Sequence, residues 1–175
     1  MPGVDASRTS VNGHAMDLTV AGMGAYSASI VGCTAALLRG ETSDVRSLAM
    51  HLDSVDTETV LDGVMDGAEL VAERLFVLAE LLEVQVSELV AMVNGGNGTG
   101  ITATVWQMGC AIAGLDLDGC RRIAEHARET TPVLREAVVC AAALLEHLFS
   151  WEAEIRKKDA GELVQRCCLV VAGES

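Results

Sequence analysis

Cys140 and His147 stand seven residues apart in a stretch of helical periodicity, with Glu136 one turn earlier on the same face. A thiol, an imidazole and a carboxylate together are the donor types of a zinc or other transition-metal site. The spacing departs from the Glu-x-x-His arrangement of helical metal bundles, so Cys140 reads first as a small apolar side chain and no metal is expected. His51 and His126 each follow an alanine by two residues and lie beside an apolar face. Such a pair could serve as acid and base or as a pH switch in a pocket, but no nucleophile at a recognisable spacing completes a catalytic set. Cys33 and Cys110 each follow a glycine, and a redox or metal pair would require them within a few ångströms with further ligands nearby. No catalytic residue and no cofactor is expected.

Three other segments resemble functional motifs without meeting their requirements. The run 94–100 is glycine-rich, yet a helix precedes it and no Lys-Ser/Thr follows, so it reads as a linker rather than a phosphate loop. Residues 79–93 resemble a helix-turn-helix, but Glu83 stands where the turn glycine belongs. Arg156-Lys157-Lys158 is the one basic cluster, placed where cations offset a helix dipole.

The elements that must position these residues are helices, arranged twice. Ala28, Val31, Ala35 and Leu38 form an apolar stripe that returns in the second half as Val105, Met108, Ile112 and Leu115. On this match Gly32-Cys33 corresponds to Gly109-Cys110. The second stripe, Val45, Leu48, Ala49 and Leu52, recurs as Cys120, Ile123, Ala124 and Ala127. The third, from Leu61 to Leu75, recurs from Leu134 to Leu148, and a short fourth helix closes each unit. The fold expected is all-α: a bundle of two tandem four-helix repeats with pseudo-twofold symmetry. Residues 1–15 form a tail, 16–94 the first repeat, 95–100 the linker and 101–172 the second repeat, with one shared core because a lone unit of this size is marginal. Ser43, Asp118, Asp56 and Thr131-Pro132 are expected caps or helix starts, and Gly40 a helix end. Gly24, Ala28, Gly32 and Ala36 form a ridge of small residues. Helix 18–38 is therefore expected to cross helix 101–115 at a seam of Gly32, Cys33, Gly109 and Cys110.

Charge narrows the partners. The net charge is −13, and residues 1–99 carry 14 acidic against 4 basic side chains. Such a field repels nucleic acid and anionic membrane surfaces. The uncharged stretches 18–38 and 94–115 are rich in glycine, serine and threonine, so they read as buried bundle helices rather than membrane spans. No signal peptide is visible at the start, and six irregularly spaced cysteines fit reduced thiols, so a cytoplasmic location is expected.

The run Ala35-Ala36-Leu37-Leu38-Arg39-Gly40-Glu41, then Asp56, Val60-Leu61-Asp62-Gly63-Val64 and Ala68-Glu69-Leu70-Val71-Ala72-Glu73-Arg74-Leu75, resembles small all-helical cytoplasmic proteins of high-GC bacteria. The resemblance covers under half the chain, and it implies a helical cytoplasmic domain without assigning a catalytic residue. The function expected is that of a non-enzymatic binding or scaffold protein, using an inter-repeat groove or an exposed apolar helix face. The alternative is a small helical enzyme or small-molecule carrier of a specialised pathway. The partners expected are a second copy, because apolar faces of 86–93 and 160–171 need burial, and a protein partner or small apolar ligand.

Overall fold

Long apolar periodicity and a near absence of strand formers produce eight helices and no strand among the described residues. The structure, a computed structural model, describes residues 24–93, 100–130 and 133–171. In chain order the helices are α1 (Ser27–Leu38), α2 (Thr42–Ala49), α3 (Thr57–Leu82), α4 (Val86–Val93), α5 (Gly100–Ala113), α6 (Leu117–Glu129), α7 (Leu134–Arg156) and α8 (Ala160–Val171). The expected tail 1–15, the linker 95–99 and Thr131-Pro132 lie outside the described residues.

The long helices α3 and α7 pack side by side in the same direction. At one end the Leu134 N–H donates to the Ser54 carbonyl at 2.9 Å; at the other Arg74 reaches Glu152. Between them the face of α3 is bare. A methyl added at Gly67 would sit 2.6 Å from Ala141 Cβ, 3.5 Å from Val105 and 3.8 Å from Ile30. Three helices thus converge on one glycine. α5 lies against α3 and α7, α1 lies against α7, α2 and α6 buttress α1 and α5, and α8 fills the groove between α1 and α7.

Burial recurs 75 residues on between α1 and α5 and 74 residues on between α3 and α7. Ile30, Val31, Cys33, Thr34 and Ala36 of α1 match Val105, Trp106, Met108, Gly109 and Ala111 of α5, in that order and without a gap. Val60, Gly63, Val64, Gly67, Val71, Leu75 and Ala79 of α3 likewise match buried positions of α7, with Val60 on Leu134, Gly63 on Ala137 and Gly67 on Ala141. The helix ends recur too. Gly40 and Leu115 end α1 and α5 in the left-handed region, at φ 72° and 55°. Glu83 and Lys157 end α3 and α7 at φ 56° and 55°. At each end the next N–H bonds back five residues, as Glu41 does to Ala36 and Asp116 to Ala111, which satisfies a carbonyl the helix leaves over.

The glycine contacts correct the expected seam. Gly109 packs against α3, where an added methyl would meet Val71 at 2.6 Å and the Ala68 carbonyl oxygen at 3.2 Å; at Gly32 it would meet only Leu48, at 3.6 Å. The tight crossing is therefore α5 on α3, not α5 on α1. Helix α1 also begins at Ser27 rather than at 18. The preceding turn is fixed by the Ser27 hydroxyl accepting from Gly24 N–H and by Asp66 accepting from Tyr26 N–H at 2.9 Å. Asp56 caps α3 through Thr59 N–H as expected, but Asp116 rather than Asp118 caps α6, and Glu41 rather than Ser43 precedes α2.

Leu89 of α4 and Leu163, Val164 and Cys167 of α8 are buried within the chain, whereas Val86 and Val90 are half-buried and Met92 is exposed. No helix of the described residues is long and apolar enough to cross a membrane.

The glycine contacts make an uneven pair. Gly109→Ala is expected to destabilise by about 1–3 kcal/mol through overpacking. Gly32→Ala should be neutral or gain up to about 1 kcal/mol from helix propensity. Urea titrations of both variants check this, and equal losses would contradict the crossing described.

Candidate functional site

The residues singled out by type do not converge. His51, His126 and His147 are exposed, as is Glu136, while Cys140 is half-buried. Among the described residues no group of three or more His, Cys, Asp or Glu side chains could hold a metal ion. All six cysteines are free thiols: Cys33 lies in the core and Cys110 is half-buried. Burial raises the thiols of Cys33, Cys120 and Cys168, and pushes Cys110 up to about 11. Cys167 is pushed up to about 12, chiefly by burial and further by the charge of Glu73. Thiols held in the protonated form are poor nucleophiles.

Two polar sites emerge instead. The first ties the C-terminal ends of α3 and α7. Arg74 donates to Glu152 at 2.8 Å and to Glu73 at 3.0 Å, and Arg156 donates to the other Glu152 oxygen at 2.8 Å. The Arg74 guanidinium also stands 4.9 Å from the centre of the Phe149 ring. The Glu152 and Arg74 side chains are only 3% and 13% exposed, so water screens this pair little. A cavity of about 190 Å³ adjoins it, closed by Leu163, Arg166 and Cys167 of α8. Both carboxylate oxygens of Glu152 accept from arginines, which leaves it poorly placed to take a proton from a substrate. Sequence reading misses this tie. The signal is a charge inside an apolar stripe: in the register that sets Gly67 on Ala141, Glu152 stands where α3 has Leu78.

The second site is a cleft of about 340 Å³ between α4, α5 and α6. Val90, Ala111 and Ile123 form its apolar walls, and Cys110 contributes its thiol. Trp106 lines it and is 4% exposed; its indole Nε1–H is the one buried side-chain polar atom among the described residues without a hydrogen-bond partner. An unmet buried donor of this kind costs about 1–3 kcal/mol. Gln107 and Arg122 stand at the rim, and Arg122 is 73% exposed, with only a 4.0 Å approach to Asp116. Asp116 itself is engaged at the start of α6, accepting from Gly119 N–H at 2.8 Å.

α8 packs along α1 and α7, whereas α4 packs on α3 and contributes Val90 to the cleft wall. Of the residues picked out in the sequence, only Cys110 reaches this cleft. Comparison with known proteins finds no family model, no curated protein and no solved structure that matches the chain.

Removing Glu152 strands Arg74 in a site with little access to water. Glu152→Ala is expected to cost about 3 kcal/mol, and Glu41→Ala at the exposed Arg39–Glu41 pair far less. Denaturant unfolding of the two variants checks the contrast.

A pH dependence follows from Glu69 on α3, whose carboxyl is raised to about 7 by burial and by the neighbouring Asp66 charge. The unfolded chain releases that proton near its ordinary value of 4.5, so the native state holds more protons between 4.5 and 7. This contribution to stability is full below 4.5 and is lost as pH rises through 7. Glu69→Gln should therefore narrow the gap in unfolding free energy between pH 5 and pH 8; an unchanged gap would count against the burial of Glu69.

Proposed function

We propose that this chain is a non-enzymatic helical binding protein, two copies of a four-helix module fused about a pseudo-twofold axis, with its ligand in the cleft between α4, α5 and α6. The duplication is supported by the gap-free burial registers of α1 on α5 and of α3 on α7, by the four matched helix ends and by the packing of Gly67 on its own counterpart, Ala141. On this reading the cleft lies between the copies, since α4 belongs to the first and α5 and α6 to the second.

The observation that carries the binding reading is a cleft of about 340 Å³, at the small end of the roughly 300–1,000 Å³ range of ligand sites, lined by Trp106, whose buried indole N–H has no hydrogen-bond partner. A core that needed only volume at this position is served by Val31 in the other half. An indole placed there adds a donor, and a donor without a partner is unfavourable unless something supplies an acceptor. The enzyme alternative is weakened by raised thiols, exposed histidines and a Glu152 committed to two arginines.

The test reads the donor directly. In ¹⁵N-labelled protein the two tryptophans give two indole N–H resonances, and Trp151→Phe assigns that of Trp106. Titration with benzoate, benzyl alcohol and benzylamine should move the Trp106 resonance saturably for at least one of them. Trp106→Phe should keep the unliganded stability within about 1 kcal/mol, since loss of ring volume is offset by deletion of the orphan donor. A Trp106 resonance unmoved by all three probes would overturn the reading.

A further inference from the structure

We propose that the cavity where α3, α7 and α8 meet binds a small oxyanion, free phosphate or the phosphate group of an ester, at a site separate from the cleft. Charged side chains from all three helices line it: Glu73 and Arg74, Glu152 and Arg156, and Arg166. Three arginines face two glutamates, in a chain with 25 acidic and 12 basic side chains. The contacts show which cation is in surplus. Arg74 donates to both Glu73 and Glu152, and Arg156 donates through Nε to the second Glu152 oxygen. Two carboxylates thus balance two guanidiniums. Arg166 is left over, with no hydrogen bond or ion pair among the described residues, and so are the two terminal nitrogens of Arg156. The bond to Glu152 also anchors the Arg156 plane, so little freedom remains to be lost when its other donors are used.

The class of ligand follows from the donors and the size. Guanidinium N–H groups pair most strongly with anionic oxygens, and a phosphate offers several on one compact centre. A volume of about 190 Å³ admits such a group, but lies below the roughly 300–1,000 Å³ of sites for larger organic ligands. Two features oppose an anion. The chain's charge of −13 acts at a distance, where it is screened beyond a Debye length of about 8 Å at physiological salt. The carbonyl end of α7 lies near, but its Ala153 and Glu154 carbonyls already accept from Lys158 and Lys157 N–H at 3.0 and 3.4 Å. The surplus arginine acts at contact and decides the sign.

The experiment is calorimetric titration of the full chain at low salt with inorganic phosphate, glycerol 3-phosphate and acetate, alongside the melting temperature at each phosphate concentration. Phosphate should bind with a Kd on the order of 1 mM, the scale for a ligand of about five non-hydrogen atoms, and should raise the melting temperature by mass action. Arg166→Gln should weaken phosphate about five- to tenfold, the loss of one charge-assisted contact. Arg122→Gln, which removes an exposed arginine of the separate cleft, should leave phosphate binding unchanged. Arg166 is exposed, which keeps its variant folded. Glycerol 3-phosphate binding as tightly as phosphate supports the site and assigns it to the phosphate group of an ester; much weaker binding of the ester supports the site and assigns it to the free ion. Acetate binding as tightly as phosphate, or equal weakening of phosphate by the two arginine variants, would overturn the assignment. So would phosphate that gives neither heat nor a rise in melting temperature. None of these outcomes bears on the cleft.

Discussion

The close approach of α3 to α7 and α5 sets the rest of the structure. Gly63 and Gly67 lie one turn apart on α3, opposite Leu134, Ala137 and Ala141 of α7, and Gly109 of α5 closes on Val71 and the Ala68 carbonyl. Each glycine inside a helix costs about 1 kcal/mol in propensity relative to alanine. The cost is offset because a missing Cβ lets side chains from two further helices, Ile30 and Val105, reach the same point. Burial at that point is complete, and Ile30, Val105 and Ala141 have no exposed surface.

The helices themselves are legible in the sequence, because a period of about 3.6 residues over α3 and α7 admits no strand reading. The caps at Asp56 and the left-handed Gly40 are legible as well. Register is not. α1 and α5 are apolar over much of their circumference, so the sequence match sets Ala28 on Val105 where the burial pattern sets Ile30. Which side of α5 touches a neighbour depends on α3, and that information sits in Val71, far from Gly109 along the chain. The start of α1 is hidden for a similar reason. Residues 18–26 carry no charge to end a helix, and the bond that fixes the turn before Ser27 comes from Asp66, far along the chain on α3.

The polar sites are the least legible part. Arg74 and Glu152 lie on different helices in different halves of the chain, and neither is unusual within its own helix. Only when α7 is laid on α3 with Ala141 over Gly67 does Glu152 appear where Leu78 should be. Ion pairs of this kind add little net stability over an apolar pair of the same shape, but they penalise any other packing of the same helices. Here the tie joins the two long helices at the end opposite to the Leu134–Ser54 bond, which fixes their parallel alignment at both ends.

On the duplication reading, the same register explains why the cleft has one location. In a symmetric dimer each substitution occurs twice, so a polar group introduced for a ligand also appears in the other copy, where α8 would have to cover it. A fused pair removes that coupling. At equivalent positions the first half has Val31, Gly32 and Ser47 where the second has Trp106, Gln107 and Arg122. The first set is small, whereas the second is larger, richer in donors and lines the cleft beside α4.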